Sequence, residues 1–162
     1  MLQEQLMQVY HDHWQSQGDM LTDITRYFRG PDVTTVTSAY ENAPIKIALY
    51  GKQGLNYDNT LPQFCSGEWT LERILKSYQD FNFGATYFRS PFWENWDLVS
   101  TGVFGPTCGR SIMAWGNVLK FVYQKDGGKV LPLPDVPDRA ALNAGLELQG
   151  DLMRREMEIL WL

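Results

Sequence analysis

The stretch from Ile45 to Tyr57 reads IKIALYGKQGLNY and changes character at Gly51. The residues before Gly51 are largely apolar, which is typical of a short strand that is buried on both faces. From Gly51 onwards, glycines, asparagines and a proline indicate a loop. We therefore predict a strand over 45–50 and a long loop over 51–67, at the strand end where open α/β sheets bind their ligands.

A second buried strand is predicted by the run SIMAW at 111–115, which is followed by Gly116 and Asn117. If the two strands are parallel, the loops that follow them converge on one crevice. Asn117 suits the reading of a base edge there, because its carboxamide presents a donor and an acceptor side by side. A turn residue after the strand is the alternative interpretation of Asn117.

Helices precede, separate and follow these strands. Apolar residues at helical spacing predict helices over 2–16, 20–28, 68–82 and 90–101, and a last helix that begins at Asp138. The charged residues at 154–158 of the last helix are interpreted as a solvated face. This order of elements predicts an α/β fold with three layers (helix, sheet, helix) and a short, mostly parallel sheet.

The domain organisation follows from length and from the strand count. We assign residues 1–162 to a single domain, in which residues 1–40 form a helical N-terminal extension. Two strands are fewer than a parallel sheet normally has, so the sheet is expected to be incomplete. An open sheet edge normally requires cover, which predicts a homodimer or a partner chain.

Composition and charge exclude several classes of protein. The chain has 44% hydrophobic residues and a net charge of −5, which excludes a disordered tail and limits any DNA contact to a local one. It contains neither an apolar run of the ~20 residues that a membrane span needs nor a secretory leader, so a cytoplasmic location is expected. Two cysteines cannot build a four-cysteine cluster, and His11 and His13 do not share a helix face. We therefore expect neither a metal nor a cofactor.

Around its two strand-end segments the sequence resembles the uracil-DNA glycosylase superfamily. In that family a strand leads into a loop of the Gly-Gln-Asp-Pro-Tyr, Gly-Glu-x-Pro-Gly or Gly-Gln-Glu type, which positions the hydrolytic water. A later apolar strand ends in an Asn that hydrogen-bonds a flipped-out pyrimidine. Residues 46–57 are similar to the first motif, and residues 112–120, which include Asn-Val-Leu-Lys, are similar to the second. With the proline-containing connector and the last helix, the resemblance covers residues 40–162.

The resemblance implies a DNA-glycosylase-like domain that recognises a flipped-out uracil or modified base and hydrolyses its N-glycosidic bond. It implies two catalytic candidates, Gln53 and Asp58, and four base-binding candidates, Gly51, Lys52, Phe64 and Asn117. Phe64 or Tyr57 would stack on the base, although a core position explains Phe64 equally well. The Gln53 side chain is equally consistent with facing solvent and with pointing into the site.

The sequence also departs from the family's pattern. Lys52 and Gln53 stand where many members have Asp or Glu, and a neutral amide orients water but cannot take its proton. Asp58 is a substitute at a different spacing. The family's histidine-containing loop would follow Leu162, so the chain is interpreted as a divergent, C-terminally truncated member. The alternative function is a non-catalytic α/β binding module of the same fold, which acts through a partner or a homodimer.

Overall fold

The computed structural model describes residues 1–17, 28–53, 61–85, 90–123 and 139–161. The α-helices within these ranges are α1 (Leu2–Ser16), α2 (Ser38–Glu41), α3 (Leu61–Cys65), α4 (Leu71–Phe81), α5 (Pro91–Phe104) and α6 (Arg139–Leu160). Short 3-10 helices lie at Asn82–Gly84 and Arg110–Ile112. The strands are β1 (Phe28–Arg29), β2 (Ala48–Gln53), β3 (Ala114–Leu119) and β4 (Val122–Tyr123). The fold is α/β, as predicted.

Strands β2 and β3 form a parallel pair in which Ala48 lies opposite Ala114 and Gly51 lies opposite Asn117. Strand β2 lies three residues further along the chain than the sequence predicts, at 48–53, and β3 lies at 114–119, three residues further at its start and four at its end. The prediction that the loop starts at Gly51 and that Asn117 follows its strand is therefore wrong. Hydrogen bonding between β2 and β3 continues past the apolar runs. Gly51 and Gly116 fit inside these strands because a glycine leaves room for neighbouring groups that approach the backbone closely.

The other edge of β3 is covered by a segment that the sequence does not reveal as a strand. Residues 28–35 run antiparallel to residues 115–123, beginning with the pairing of β1 with β4. The contact continues with a hydrogen bond of 2.6 Å from the Asp32 N–H to the Lys120 carbonyl and with a bridge between Thr35 and Trp115. Among the residues that the structure describes, the outer edge of β2 has no strand partner.

Two clusters of buried side chains lie on opposite faces of the β2–β3 pair, so the fold has the predicted three layers. The first core cluster joins α1 and α6 to one face and includes Leu6, Tyr10, Trp14, Ala114, Leu142, Leu152 and Leu160. The second core cluster joins α5 and the nearby 3-10 helices to the other face and consists of Phe83, Trp93, Trp96 and Met113. Helix α1 therefore belongs to the main core and is not a peripheral addition.

Two local residues fix the start of α5. The Ser90 hydroxyl accepts a hydrogen bond of 3.3 Å from the Trp93 N–H, and Pro91 occupies the first helical position. The helix extends to Phe104, three residues beyond its predicted end, and so contains Gly102. The helix predicted over 20–28 lies outside the described residues, except for Phe28, which belongs to β1. None of the helices that the structure describes is long and apolar enough to cross a bilayer.

His13 gives the fold a predicted pH dependence. Its side chain is 2% exposed, and burial lowers its pKa, although the Asp151 carboxylate 3.8 Å away opposes the shift. The unfolded chain takes up a proton at His13 near its ordinary pKa of about 6.5, whereas the folded chain does so only at lower pH. The contribution of neutral, buried His13 to the free energy of unfolding is therefore fully present above about pH 6.5. It is lost as the pH falls below that value, by at most about 1.4 kcal/mol per pH unit.

Urea denaturation of the wild type and of His13→Gln between pH 5 and pH 8 measures this contribution. We expect the free energy of unfolding of the wild type to fall more steeply towards acid than that of the variant. Identical pH profiles for the two proteins would contradict the role of His13. Carboxylates that are distant from His13 titrate equally in both proteins and cancel in the comparison.

Candidate functional site

Asn117 and Gly51 form the centre of the candidate site. They are paired across β2 and β3, and Asn117 is 5% exposed. The Asn117 carboxamide lies over Gly51, since a Cβ atom added at Gly51 would collide with Asn117 Oδ1. Because Gly51 has no side chain, the Asn117 amide can occupy the space beside it. The two motif segments are brought together as predicted, although they meet inside the sheet and not at its end.

Asp32 holds the Asn117 amide and is the site residue that sequence reasoning missed. Asn117 Nδ2 donates a hydrogen bond of 2.6 Å to Asp32 Oδ2, and the Tyr78 hydroxyl donates one of 2.5 Å to the same oxygen. Asp32 is completely buried. In the sequence it follows the breaker Gly30-Pro31 in an irregular stretch, and no periodicity signals its role.

Aromatic rings surround the glycine and the amide. Phe92, which is half-buried near the start of α5, has its ring 3.7 Å from the position that a Cβ atom of Gly51 would take. The ring centroids of Tyr78 and Trp115 lie 5.1 Å apart. Trp115 precedes Asn117 by two residues, so both side chains point to the same face of the sheet. The amide therefore lies beside an aromatic wall.

Phe64, in contrast, packs in the core. Its ring lies 6.1 Å from the ring of Trp14 in an edge-on arrangement, and it contacts the first core cluster on the other side of the sheet. The prediction that Phe64 stacks on a base is therefore corrected in favour of its core interpretation. The sequence offers two explanations for Phe64, stacking on a base and packing in the core, and its described contacts match the second. Phe92 is the ring that the structure places beside Gly51.

The remaining predicted site residues are placed only in part. Lys52 is exposed near the end of β2, and the backbone of Gln53 pairs with Leu119. Both therefore belong to the strand and not to a loop. The side chain of Gln53 lies outside the described part of the chain, as do Asp58 and Tyr57. Their predicted roles stay predictions.

A buried ion pair lies on the opposite face of the sheet. Lys120 Nζ lies 2.7 Å from Glu156 Oε1, and both side chains are 0% exposed. Lys120 also donates a hydrogen bond of 3.1 Å to the Thr34 hydroxyl. The interpretation of residues 154–158 as a fully solvated face is therefore wrong for Glu156. It shares the buried stripe of α6 with Leu152 and Leu160, which lie four residues away on either side.

Two tyrosines complete this buried network. The hydroxyls of Tyr10 and Tyr50 both donate hydrogen bonds to the Glu156 carboxylate. Burial and then the neighbouring Glu156 raise the pKa of Tyr10 well above its ordinary value, and the same two causes raise the pKa of Tyr50. Both phenols therefore keep their protons and act as donors. Tyr10 also accepts a hydrogen bond of 2.7 Å from the Thr34 N–H, so the network holds the segment that carries Asp32.

The chain matches no known family, curated protein or solved structure.

The chemistry of the site therefore has to be read from its own residues. A carboxamide fixed by a buried carboxylate presents a rigid pattern of donors and acceptors, which suits the recognition of a flat polar ring. Within the described ranges, no group of three or more His, Cys, Asp or Glu residues could hold a metal ion. Asp32 Oδ2 already accepts two hydrogen bonds, so this carboxylate serves as an acceptor that orients its neighbours.

Proposed function

We propose that the chain is a DNA-glycosylase-like domain that recognises a flipped-out uracil or a related base and hydrolyses its N-glycosidic bond. The observation that carries the proposal is the pairing of Gly51 with Asn117 on adjacent parallel strands. The two segments that resemble the family's motifs are far apart in the sequence. Their meeting on one face of the sheet, with the amide over the glycine, supports a shared site.

In this proposal Asn117 hydrogen-bonds the edge of the base, and Phe92 provides an apolar ring beside it. The bond between C1′ of the sugar and the base nitrogen breaks, a water oxygen bonds to C1′, and one proton of the water passes to the departing base. Catalysis relies mainly on electrostatic stabilisation of the cationic sugar and the leaving base. Gln53 is the proposed residue that holds the water.

DNA is the proposed partner, and the cytoplasm the proposed location. The net charge of −5 restricts the contact to the area around the flipped base, since a broad nucleic-acid surface carries excess positive charge. Affinity in this proposal comes from the base pocket more than from the phosphates. It is therefore expected to depend weakly on salt.

A base-binding module without hydrolysis is the second candidate function. Lys52 stands where many members of the resembled family have a carboxylate, and Asp32 is held by two donors. Neither residue is placed to take a proton from water. In this alternative the outer edge of β2 is covered by a partner chain or a second copy. A mass measurement in solution that finds only the monomer would count against the second copy.

Asn117→Ala is expected to weaken both the binding and the cleavage of uracil-containing DNA. Loss of the carboxamide removes a paired contact to the base edge, which is worth about 1–3 kcal/mol or about 5- to 150-fold in affinity. The test measures binding to an oligonucleotide with a non-hydrolysable uracil nucleotide, relative to the same DNA with cytosine, because thymine carries the same imide edge as uracil. A parallel assay measures alkali-sensitive cleavage of uracil-containing DNA. We expect both uracil-dependent signals to fall in the variant.

Asn95→Ala is the matched control, because Asn95 is an exposed asparagine on α5 whose amide donates a hydrogen bond to the Pro91 carbonyl of its own helix. It should behave as the wild type. Uracil-dependent binding without cleavage would favour the non-catalytic module. Wild-type protein that is folded and shows neither signal would refute both candidate functions.

A further inference from the structure

We infer that Asp32 is a positioning residue that locks the orientation of the Asn117 amide and thereby selects which base edge the site accepts. The inference rests on the proposed function for its ligand, and on the described contacts for its geometry. Asp32 does not touch the base in this scheme. It acts through Asn117, whose Nδ2 lies 2.6 Å from Asp32 Oδ2.

The two hydrogen bonds on Asp32 Oδ2 determine which end of the amide faces it. An oxygen that accepts from both Asn117 and the Tyr78 hydroxyl uses its lone pairs for these donors and carries no proton. Only the NH₂ end of the Asn117 amide can therefore face Asp32. A half-turn of the amide would bring its carbonyl oxygen against the carboxylate and set two acceptors against each other.

Asp32 is itself held in place from several sides. It is completely buried, and its N–H donates a hydrogen bond of 2.6 Å to the Lys120 carbonyl at the end of β3. Two residues further on, Thr34 is bonded through its N–H to Tyr10 and through its hydroxyl to Lys120. The carboxylate therefore belongs to the rigid part of the fold. Such support is what keeps a recognising side chain in one orientation.

The fixed Asn117 amide presents one hydrogen-bond donor and one acceptor to a ligand. With one Nδ2 hydrogen on Asp32, Asn117 retains its second Nδ2 hydrogen as a donor and Oδ1 as an acceptor. Oδ1 lies on the side of Gly51, near the ring of Phe92, which offers no N–H or O–H donor. The complementary edge has an N–H beside a carbonyl, as in the imide of uracil. Cytosine presents the reverse pattern in the same pose, an acceptor nitrogen beside an amino group, and would require the flipped amide.

The experiment compares Asp32→Asn with Asp12→Asn, a matched control at an exposed aspartate of α1 that accepts a hydrogen bond from Gln8. The asparagine at position 32 can donate or accept, so it tolerates both orientations of Asn117. Binding is measured for three otherwise identical oligonucleotides that carry a non-hydrolysable uracil, a cytosine or a thymine nucleotide. We expect the preference for uracil over cytosine to fall at least tenfold in Asp32→Asn. In Asp12→Asn, which leaves Asp32 and its bond to Asn117 in place, the preference should be retained.

A second measurement reads the amide without DNA. The side-chain NH₂ signals of Asn117 are assigned by their absence in Asn117→Ala, and their hydrogen exchange is followed by NMR. In the wild type, one of the two hydrogens should exchange more slowly than the other because it is bonded to Asp32. Asp32→Asn should change both the chemical shifts and this difference. The wild-type measurement holds even if the variant does not fold.

The outcomes separate the inference from the proposed function. Equal exchange of the two Asn117 hydrogens in the wild type would overturn the inference, and so would an unchanged uracil preference in folded Asp32→Asn. A purely structural role of Asp32 would weaken binding of uracil and cytosine DNA equally, which also contradicts it. Unequal exchange in a wild type that prefers no base would refute the proposed function and the base selection, while the locked amide would stand.

Discussion

Glu156→Gln is expected to reduce the free energy of unfolding by about 3–5 kcal/mol, the cost of leaving one buried charge without its partner. Lys120 and Glu156 are both 0% exposed, and their charged atoms lie 2.7 Å apart. The neutral amide would leave the Lys120 ammonium in a nonpolar environment that also contains Tyr10 and Tyr50. Urea denaturation monitored by tryptophan fluorescence measures the loss.

Glu158→Gln is the matched control for this prediction. Glu158 lies in the same helix and pairs with Arg154 at 2.6 Å, but the two side chains are 61% and 62% exposed. Its replacement should change stability by less than about 0.5 kcal/mol, because solvent screens exposed pairs. The double variant Lys120→Met/Glu156→Gln should regain most of the loss, since it removes both charges and keeps an amide oxygen as the acceptor for Tyr10 and Tyr50. Equal effects of Glu156→Gln and Glu158→Gln would contradict the buried pair.

The sequence was sufficient to predict the parts of the fold that depend on local patterns. The two buried strands, the capped start of α5 and the last helix are all encoded by apolar spacing and by turn residues within a few positions. The strands β2 and β3 end three and four residues beyond their predicted ends, because glycine is typical of turns whereas Gly51 and Gly116 lie inside the strands. A Cβ atom at Gly116 would strike the Thr34 hydroxyl and the ring of Tyr50, which explains glycine inside this strand.

Only the part of the candidate site that local sequence patterns reveal is predictable from the sequence. Asn117 and Gly51 follow recognisable apolar runs, whereas Asp32 contacts Asn117 across 85 positions of sequence. No local pattern can report such a distant contact. Glu156 carries a signal, its spacing of four from Leu152 and Leu160, but the charged residues beside it favour the interpretation as a solvated face. A charged residue on an apolar stripe is better interpreted as a buried residue that needs a partner.

Gly51→Ala should have the largest effect on the site of any conservative substitution. The added Cβ atom would collide with Asn117 Oδ1, so the amide has to turn away from Gly51 and lose its 2.6 Å bond to Asp32. We expect uracil-dependent binding to fall to the level of Asn117→Ala. Stability should fall by about 1–3 kcal/mol, which is typical of overpacking at a filled position. Binding assays and urea denaturation measure the two effects.

Gly102→Ala is the matched control, because Gly102 lies inside α5 and nothing would lie within 4 Å of its added Cβ atom. Alanine is favoured over glycine in a helix, so this variant should gain up to about 1 kcal/mol and bind as the wild type does. The decisive comparison is Gly51→Ala in the background of Asn117→Ala. With the carboxamide removed, the Cβ atom has room, and the substitution at Gly51 should cost little. Residues in direct contact are coupled in this way, whereas additive losses would mean that Gly51 acts independently of Asn117.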